Sequence, residues 1–315
     1  MDHYQKKYIV CVVFCVILAV MLLMLGGFGA WKYLQFNKLA SSVMYAAKNS
    51  IGQPYSVVPT TLPLPQPDPS PQGYSLPTAL FLADMTLRLE RFVNGVDAAL
   101  ELPPGVTQLF TDRHNMVLVA SFTLNGKVGV VCAFRGTIHT SEWKKDFMFD
   151  LVPFQYGVDC SVHKGFQKIY GTFRDDIFET IKQAAPTTVF VCGHSLGAGL
   201  SLFLTLDLAK ARTNADIRTY TFAPPRAGDD KCTSALERFI DAGPVKEWLQ
   251  VVNSNDIVPL IPPAVSPNIW KPKHPLMYSH VLPLKFLRFS ENLYSWQNNH
   301  SLSTYIHFLK TTVGK

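Results

Sequence analysis

Thr187-Thr188-Val189-Phe190-Val191-Cys192-Gly193-His194-Ser195-Leu196-Gly197-Ala198-Gly199 decides how the rest of the chain is read. An apolar β-type run ends in Gly-x-Ser-x-Gly and passes straight into a helix-like segment, residues 200–212. That order is the context of a nucleophile elbow, a serine on a sharp strand-to-helix turn with its hydroxyl pushed outward. Strand and helix can approach that closely only if the residues two before and two after the serine are tiny. Gly193 and Gly197 fill those places. The plainer reading of the same residues is a glycine turn whose serine caps the helix.

Flanking segments set the elbow in a sheet. Residues 116–123 and 127–134 are β-rich and joined by Asn125-Gly126, a hairpin signal. Helical spacing marks residues 78–93, where Leu80, Ala83, Leu87 and Leu89 are set among Asp84, Arg88, Glu90 and Arg91. Further helices are expected at 171–185, 231–241 and 304–310, and strands at 218–222 and 248–252. Strands alternating with helices predict an α/β fold with a mostly parallel central sheet covered on both faces.

If Ser195 is a nucleophile it requires a base, a carboxylate to orient that base, and donors for the developing oxyanion. In an α/β-hydrolase the partners follow in the order serine, acid, histidine. Asp256 lies just past the strand 248–252, and Pro259, Pro262 and Pro263 stop any continuation. Asp229, Asp230 and Asp241 belong to loops or helix rims and are poorer rivals. Of the histidines beyond Asp256, His300 sits in a polar loop, Gln297-Asn298-Asn299-His300-Ser301, before a helix. His307 falls inside that helix, and His274 and His280 flank a proline-rich loop where surface histidines are unremarkable. Leu196 N–H is one expected oxyanion donor, and Thr137, in the glycine turn Arg135-Gly136-Thr137, is the other unless that turn is a plain hairpin exit. Residues 138–154 alternate large apolar groups with charges, including Trp143, Phe147 and Phe149. A lid that packs on the domain in one state and faces lipid in another has that composition, as does a buried loop and strand.

The 315 residues are 48% apolar, enough for one sizeable core, and the net charge of +6 is scattered without a basic run interleaved with aromatics, which argues against nucleic acid as partner. Among the six cysteines there is no Cys-x-x-Cys pair and no zinc spacing. Cys132 and Cys192 fall in strands expected to be buried, whereas Cys160 and Cys232 are free to pair. Between Lys7 and Lys32 there is no charge, and residues 9–30 form an apolar run of 22. That is long enough to span a bilayer and longer than the apolar core of a secretory signal, about 7–15 residues. An uncleaved N-terminal transmembrane helix is therefore the favoured reading, with secretion after cleavage near Gly27-Phe28-Gly29-Ala30 as the alternative. Pro54, Pro59, Pro63, Pro65, Pro67, Pro69, Pro71 and Pro77 then make a semi-rigid spacer. The expected organisation is an anchor over 1–31, a stem and linker over 32–76, and a catalytic domain over 77–315. The one glycosylation sequon, Asn299-His300-Ser301, wraps the candidate base.

Taken together, Phe134-Arg135-Gly136-Thr137, Trp143, Val162-His163-Lys164-Gly165-Phe166, Gly193-His194-Ser195-Leu196-Gly197, Pro225-Arg226-Ala227-Gly228-Asp229, Asp256-Ile257-Val258-Pro259, Pro262-Pro263, and His300 with Tyr305 resemble the class 3 lipases. The group contains the fungal secreted triacylglycerol lipases, and the likeness runs from about Pro77 to Phe308. The resemblance implies an α/β-hydrolase fold, a triad of Ser195, Asp256 and His300, oxyanion donors at Thr137 and Leu196, and a lid over 138–154. It favours His300 over His307, because the family's histidine precedes that tyrosine. It also implies hydrolysis of tri- or diacylglycerol esters at a membrane or droplet surface with neither metal nor organic cofactor. A phospholipase or galactolipase is the nearest alternative, and an inactive membrane-bound interaction protein a remote one. Ala198-Gly199 replaces the family's more usual Gly-Ala, an exchange similar to that in its diacylglycerol lipases.

Overall fold

The computed structural model describes residues 74–114, 116–137, 150–266, 275–280, 285–290, 293 and 296–313. The apolar run 9–30, the proline-rich spacer up to Pro71, the lid candidates Trp143, Phe147 and Phe149, and His274 lie outside the described residues, whereas Pro77, expected in the spacer, opens the first turn of the helix Leu76–Val93. Among the described residues no helix is long and apolar enough to cross a membrane.

Seven strands form one sheet: β1 (Val106–Thr111), β2 (Val117–Leu124), β3 (Lys127–Phe134), β6 (Thr188–His194), β7 (Asp216–Phe222), β8 (Val245–Asn253) and β11 (Lys285–Phe289), side by side in that order. β1, β2 and β3 pair antiparallel, and every later neighbour pairs parallel. Asn125 and Gly126 take φ of 50° and 75°, the double left-handed turn that the β2–β3 hairpin needs. Two short ladders lie apart from the sheet, β4 (Leu151–Pro153) with β5 (Ser161–His163) and β9 (Val265–Ser266) with β10 (Leu276–Met277).

Alternate residues of each central strand serve opposite cores. Val130, Cys132, Val189, Val191 and Ile217 face one, while Val131, Ala133, Phe190, Cys192 and Tyr220 face the other. The first core is covered by α2 (Lys164–Tyr170), α3 (Arg174–Ala184), α4 (Leu196–Lys210) and α5 (Asp230–Asp241). The second is covered by α1 (Leu76–Val93) and α7 (Leu302–Val313), the latter preceded by the short α6 (Trp296–His300). Side chains are buried all round α4 from Leu196 to Ala209, because it is wedged between the sheet and the outer helices.

Several expectations need correction. α4 begins at Leu196 rather than 200, so Ser195 is the last residue before the helix. α3 begins at Arg174, and α2 was not foreseen. Neither edge strand β1 nor β11 was foreseen. Among the charged residues of α1, Asp84 and Arg88 are buried and paired at 2.7 Å. His280 is not a free surface group, since its Nε2 meets the Pro259 carbonyl, and burial together with the nearby Arg226 charge pushes its pKa down to about 4.

Cys160, just before β5, is disulfide-bonded to Cys232 in α5 with a Cα separation of 5.1 Å. Closing a loop of 72 residues removes denatured-state entropy worth about 4 kcal/mol. Reduction, or Cys232→Ser, should therefore lower the thermal unfolding midpoint by about 10 °C, given about 2–4 °C per kcal/mol for a domain of this size. Calorimetry with and without reductant measures it.

Candidate active site

The site assembles where the parallel strands end. Phe134 of β3 lies beside Gly193 of β6, and His194 beside Phe222 of β7, so the exits of β3 and β6 are neighbours. A Cβ on Gly193 would stand 2.3 Å from the Gly197 carbonyl oxygen, and one on Gly197 would stand 2.3 Å from that of Phe134. Only glycine fits at both places, which is the sequence argument for the elbow in atomic terms. Gly199 has a similar reason: a Cβ there would meet the Phe166 ring at 2.8 Å, so the Ala198-Gly199 order suits the helix bearing Phe166.

Ser195 has φ 57° and ψ −124°, a left-handed conformation disfavoured for a residue with a Cβ. Its side chain makes no capping bond to the helix, which disposes of the simple cap reading. Instead Ser195 Oγ lies 2.8 Å from His300 Nε2. His300 Nδ1 lies 2.8 Å from Asp256 Oδ2. Since that carboxylate is an acceptor, Nδ1 carries the proton and Nε2 offers its lone pair to the serine hydroxyl. Asp256 is 2% exposed. Its Oδ1 accepts from Val258 N–H at 2.9 Å and its Oδ2 also accepts from Tyr305 hydroxyl at 2.7 Å. Burial, reinforced by the Asp256 charge, holds the Tyr305 phenol well above its ordinary pKa, so it remains a donor.

His300 does not sit in an open loop as expected; it closes the short helix α6, directly before α7. Cross-links secure that corner to the exit of β8. Asn253 Nδ2 donates to Asn299 O and Asn299 Nδ2 to Asn255 O, each at 3.1 Å, while Leu293 N–H donates to Asn299 Oδ1 at 2.8 Å. The sequon asparagine is thus buried with its amide engaged at both ends. His307, by contrast, is exposed on α7.

Opposite the serine, the β3 exit is held from behind. Arg135 is 1% exposed, and its guanidinium donates to the Gly136 carbonyl at 2.7 Å. The Gly136 N–H donates to Glu90 Oε1 at 2.9 Å. Thr137 follows at once, and Leu196 opens α4, where first-turn N–H groups have no partner within the helix. Gly136 stands close to the serine, since a Cβ added there would lie 3.3 Å from Ser195 Cβ. Such an arrangement can perform acyl transfer through a serine ester.

Glu90 and the pairing of His194 were missed by sequence reasoning, which noted Glu90 only as one of the charged residues set among the apolar positions of the helix 78–93. His194 Nδ1 lies 2.9 Å from Glu90 Oε1, and Nε2 2.8 Å from the His300 carbonyl oxygen. No local pattern marks this contact, because its partners are separated by 104 residues.

Tyr305→Phe should remove a bond to a buried carboxylate and strand the Asn253 N–H, which now donates to that hydroxyl at 3.1 Å. The expected loss is about 2 kcal/mol of unfolding free energy, read from urea denaturation.

Comparison with known proteins agrees with this picture. Residues 131–266 match the family model described as lipase (class 3). The chain is 31% identical over 142 residues to a lipase of Rhizomucor miehei, covering 43% of this chain and 38% of that one. It is 33% identical over 148 residues to a secreted mono- and diacylglycerol lipase of Malassezia globosa, covering 45% of each. A phospholipase A1 of Oryza sativa is 28% identical over 175 residues, covering 44% of this chain and 42% of the relative. The matches to these relatives therefore span less than half of their own lengths. In fold, the chain is similar to a propeptide complex of the Rhizomucor miehei lipase, with a TM-score of 0.51 at 21% identity over 78% of this chain and 79% of that one.

Proposed function

We propose that the chain, whose residues 131–266 match the class 3 lipase model, is a member of that family and a serine carboxylic-ester hydrolase acting on acyl esters of glycerolipids. The observation that carries the reading is the continuous relay from Ser195 Oγ through His300 to Asp256, with both links at 2.8 Å. In the proposed reaction Ser195 Oγ attacks the ester carbonyl while His300 Nε2 takes its proton. The oxyanion is held by the N–H groups of Leu196 and Thr137. His300 returns the proton to the departing alcohol, and water, deprotonated by the same nitrogen, releases the acid from the acyl-enzyme. Asp256 keeps the ring in the required tautomer and stabilises its protonated form.

Tri- and diacylglycerols are the proposed substrates; the Malassezia globosa relative, a secreted mono- and diacylglycerol lipase, supports the diacylglycerol part. The rice phospholipase A1 relatives favour phospholipid as the second reading. We place residues 77–315 as the catalytic domain, 138–149 as its lid, with Trp143, Phe147 and Phe149 meeting lipid, and 32–76 as a tether from a membrane anchor over 1–31; the lid stops short of the expected 154 because Leu151–Pro153 pair with β5 and Phe154 is buried in the core. The Cys160–Cys232 disulfide favours an oxidising compartment for the domain, either anchored or released as in the secreted Malassezia relative. Burial of Asn299 supports a sequon passed over in the folded protein.

Ser195→Ala in the full chain should lower kcat on a diacylglycerol dispersion by at least about four orders of magnitude. Rates for diacylglycerol, triacylglycerol and phospholipid, compared under one condition, rank the substrates. Equal activity of wild type and Ser195→Ala would remove the reading. A lid predicts a further effect: the rate on a short-chain ester should climb once the substrate passes its solubility limit, and a hyperbola unbroken at that point would remove the interfacial part.

A further inference from the structure

Behind the nucleophile turn lies a charged pair to which the hydrolytic scheme assigns no part. His194 is linked at Nε2 to the His300 carbonyl oxygen, and its ring centroid is 4.7 Å from that of His300. A carbonyl can only accept, so Nε2 bears a proton. The partner of Nδ1, Glu90 Oε1, also accepts the Gly136 N–H. With Glu90 ionised, Nδ1 must bear a proton as well, making His194 an imidazolium. The side chains of His194 and Glu90 are only 7% and 16% exposed. Burial pushes the Glu90 carboxyl up, but the His194 charge and the bonds from His194 and Gly136 outweigh it and leave it below its ordinary value. Burial likewise pushes His194 down, and the Glu90 charge, the Glu90 bond and the His300 carbonyl together raise it above the usual imidazole range.

We propose that Glu90 is a positioning residue for the hydrolytic reaction: through a charged His194 it fixes the main chain of His300, and through Gly136 N–H it fixes the oxyanion turn. One carboxylate oxygen thereby spans both sides of Ser195. α1 is thus part of the machinery although it contributes nothing that touches substrate. The inference rests on the triad reading above.

A neutral residue in place of Glu90 cannot satisfy the same contacts. A glutamine can accept from Gly136 N–H, or turn its amide to donate to a neutral His194 Nδ1, and in either case one link is weakened or lost. The groups facing the His300 ring are the Asp256 carboxylate from the β8 exit, backed by Tyr305 of α7, Ser195, and the His194 cation backed by Glu90 of α1. Neutralising the Glu90–His194 pair removes a positive ring 4.7 Å from that of His300, so positive charge developing there during proton transfer meets less repulsion. Glu90→Gln should therefore lower kcat on a soluble short-chain ester about 10- to 100-fold with KM within about threefold, and move the acidic limb of kcat/KM to higher pH.

The test measures pH profiles of the full chain as wild type and Glu90→Gln, with Ser195→Ala as control, alongside ¹⁵N spectra of the imidazoles in the wild type. A kcat loss with the limb displaced supports the proposal. A Glu90→Gln enzyme within twofold of wild type and with an unchanged profile overturns it. If Glu90→Gln does not fold, the wild-type spectrum decides. Protons on both His194 nitrogens at pH 8, where a free imidazole is neutral, support the charged bridge, and one proton with an ordinary titration overturns it. Failure of the hydrolase reading is separately visible as wild-type activity that Ser195→Ala retains.

Discussion

The approach of α4 to the ends of β3 and β6 is the constraint from which the site follows. At Gly193 and Gly197 there is no room for even one methyl group beyond the backbone. That contact forces the turn at Ser195 into a left-handed conformation, and the same contact sets the Phe134-Arg135 carbonyls against the start of the helix. Nucleophile and oxyanion turn are therefore placed by one packing event. A looser join would move both together, away from His300, which approaches from a different part of the chain.

Electrostatics complete what packing begins. Two buried carboxylates stand on either side of the histidine pair, Asp256 binding the ring of His300 and Glu90 binding the ring of His194. Each is satisfied by several donors rather than by one counter-charge, the condition under which a buried anion is tolerable. The two networks join at His300, whose ring belongs to one and whose carbonyl belongs to the other. Tyr305 and the Asn253–Asn299 links clamp the same corner. His300, the proposed proton carrier, is thus held by its main chain and its ring independently.

Much of the architecture was legible because it is written in local periodicity. The elbow strand, the Asn125-Gly126 hairpin and the β8 exit carrying Asp256 each announce themselves within a dozen residues. His300 was less legible from its neighbourhood, since four downstream histidines compete; its place in a polar loop before a helix favoured it, and the resemblance involving Tyr305 strengthened that choice over His307. α6 is too short for a helical period to show around His300. Edge strands β1 and β11 escaped notice because an edge is half solvated and its pairing lies elsewhere in the chain. Glu90 was illegible for a deeper reason. Helical periodicity separates an apolar stripe from a polar one, but α1 is buried through Thr78–Leu89, and the partners of Glu90, Gly136 and His194, lie on other elements that no helix period reveals.

The φ of 57° at Ser195 has a consequence for engineering the protein against heat. An L-residue held there costs about 1–3 kcal/mol that glycine would not, because glycine takes positive φ freely. A glycine would forfeit the hydroxyl's bond to His300, a smaller loss of about 1 kcal/mol. With about 0.5–1 kcal/mol more for glycine's extra chain entropy, the terms nearly cancel, so thermal endurance alone exerts little selection to keep a serine at this position, and in the proposed reaction only turnover does.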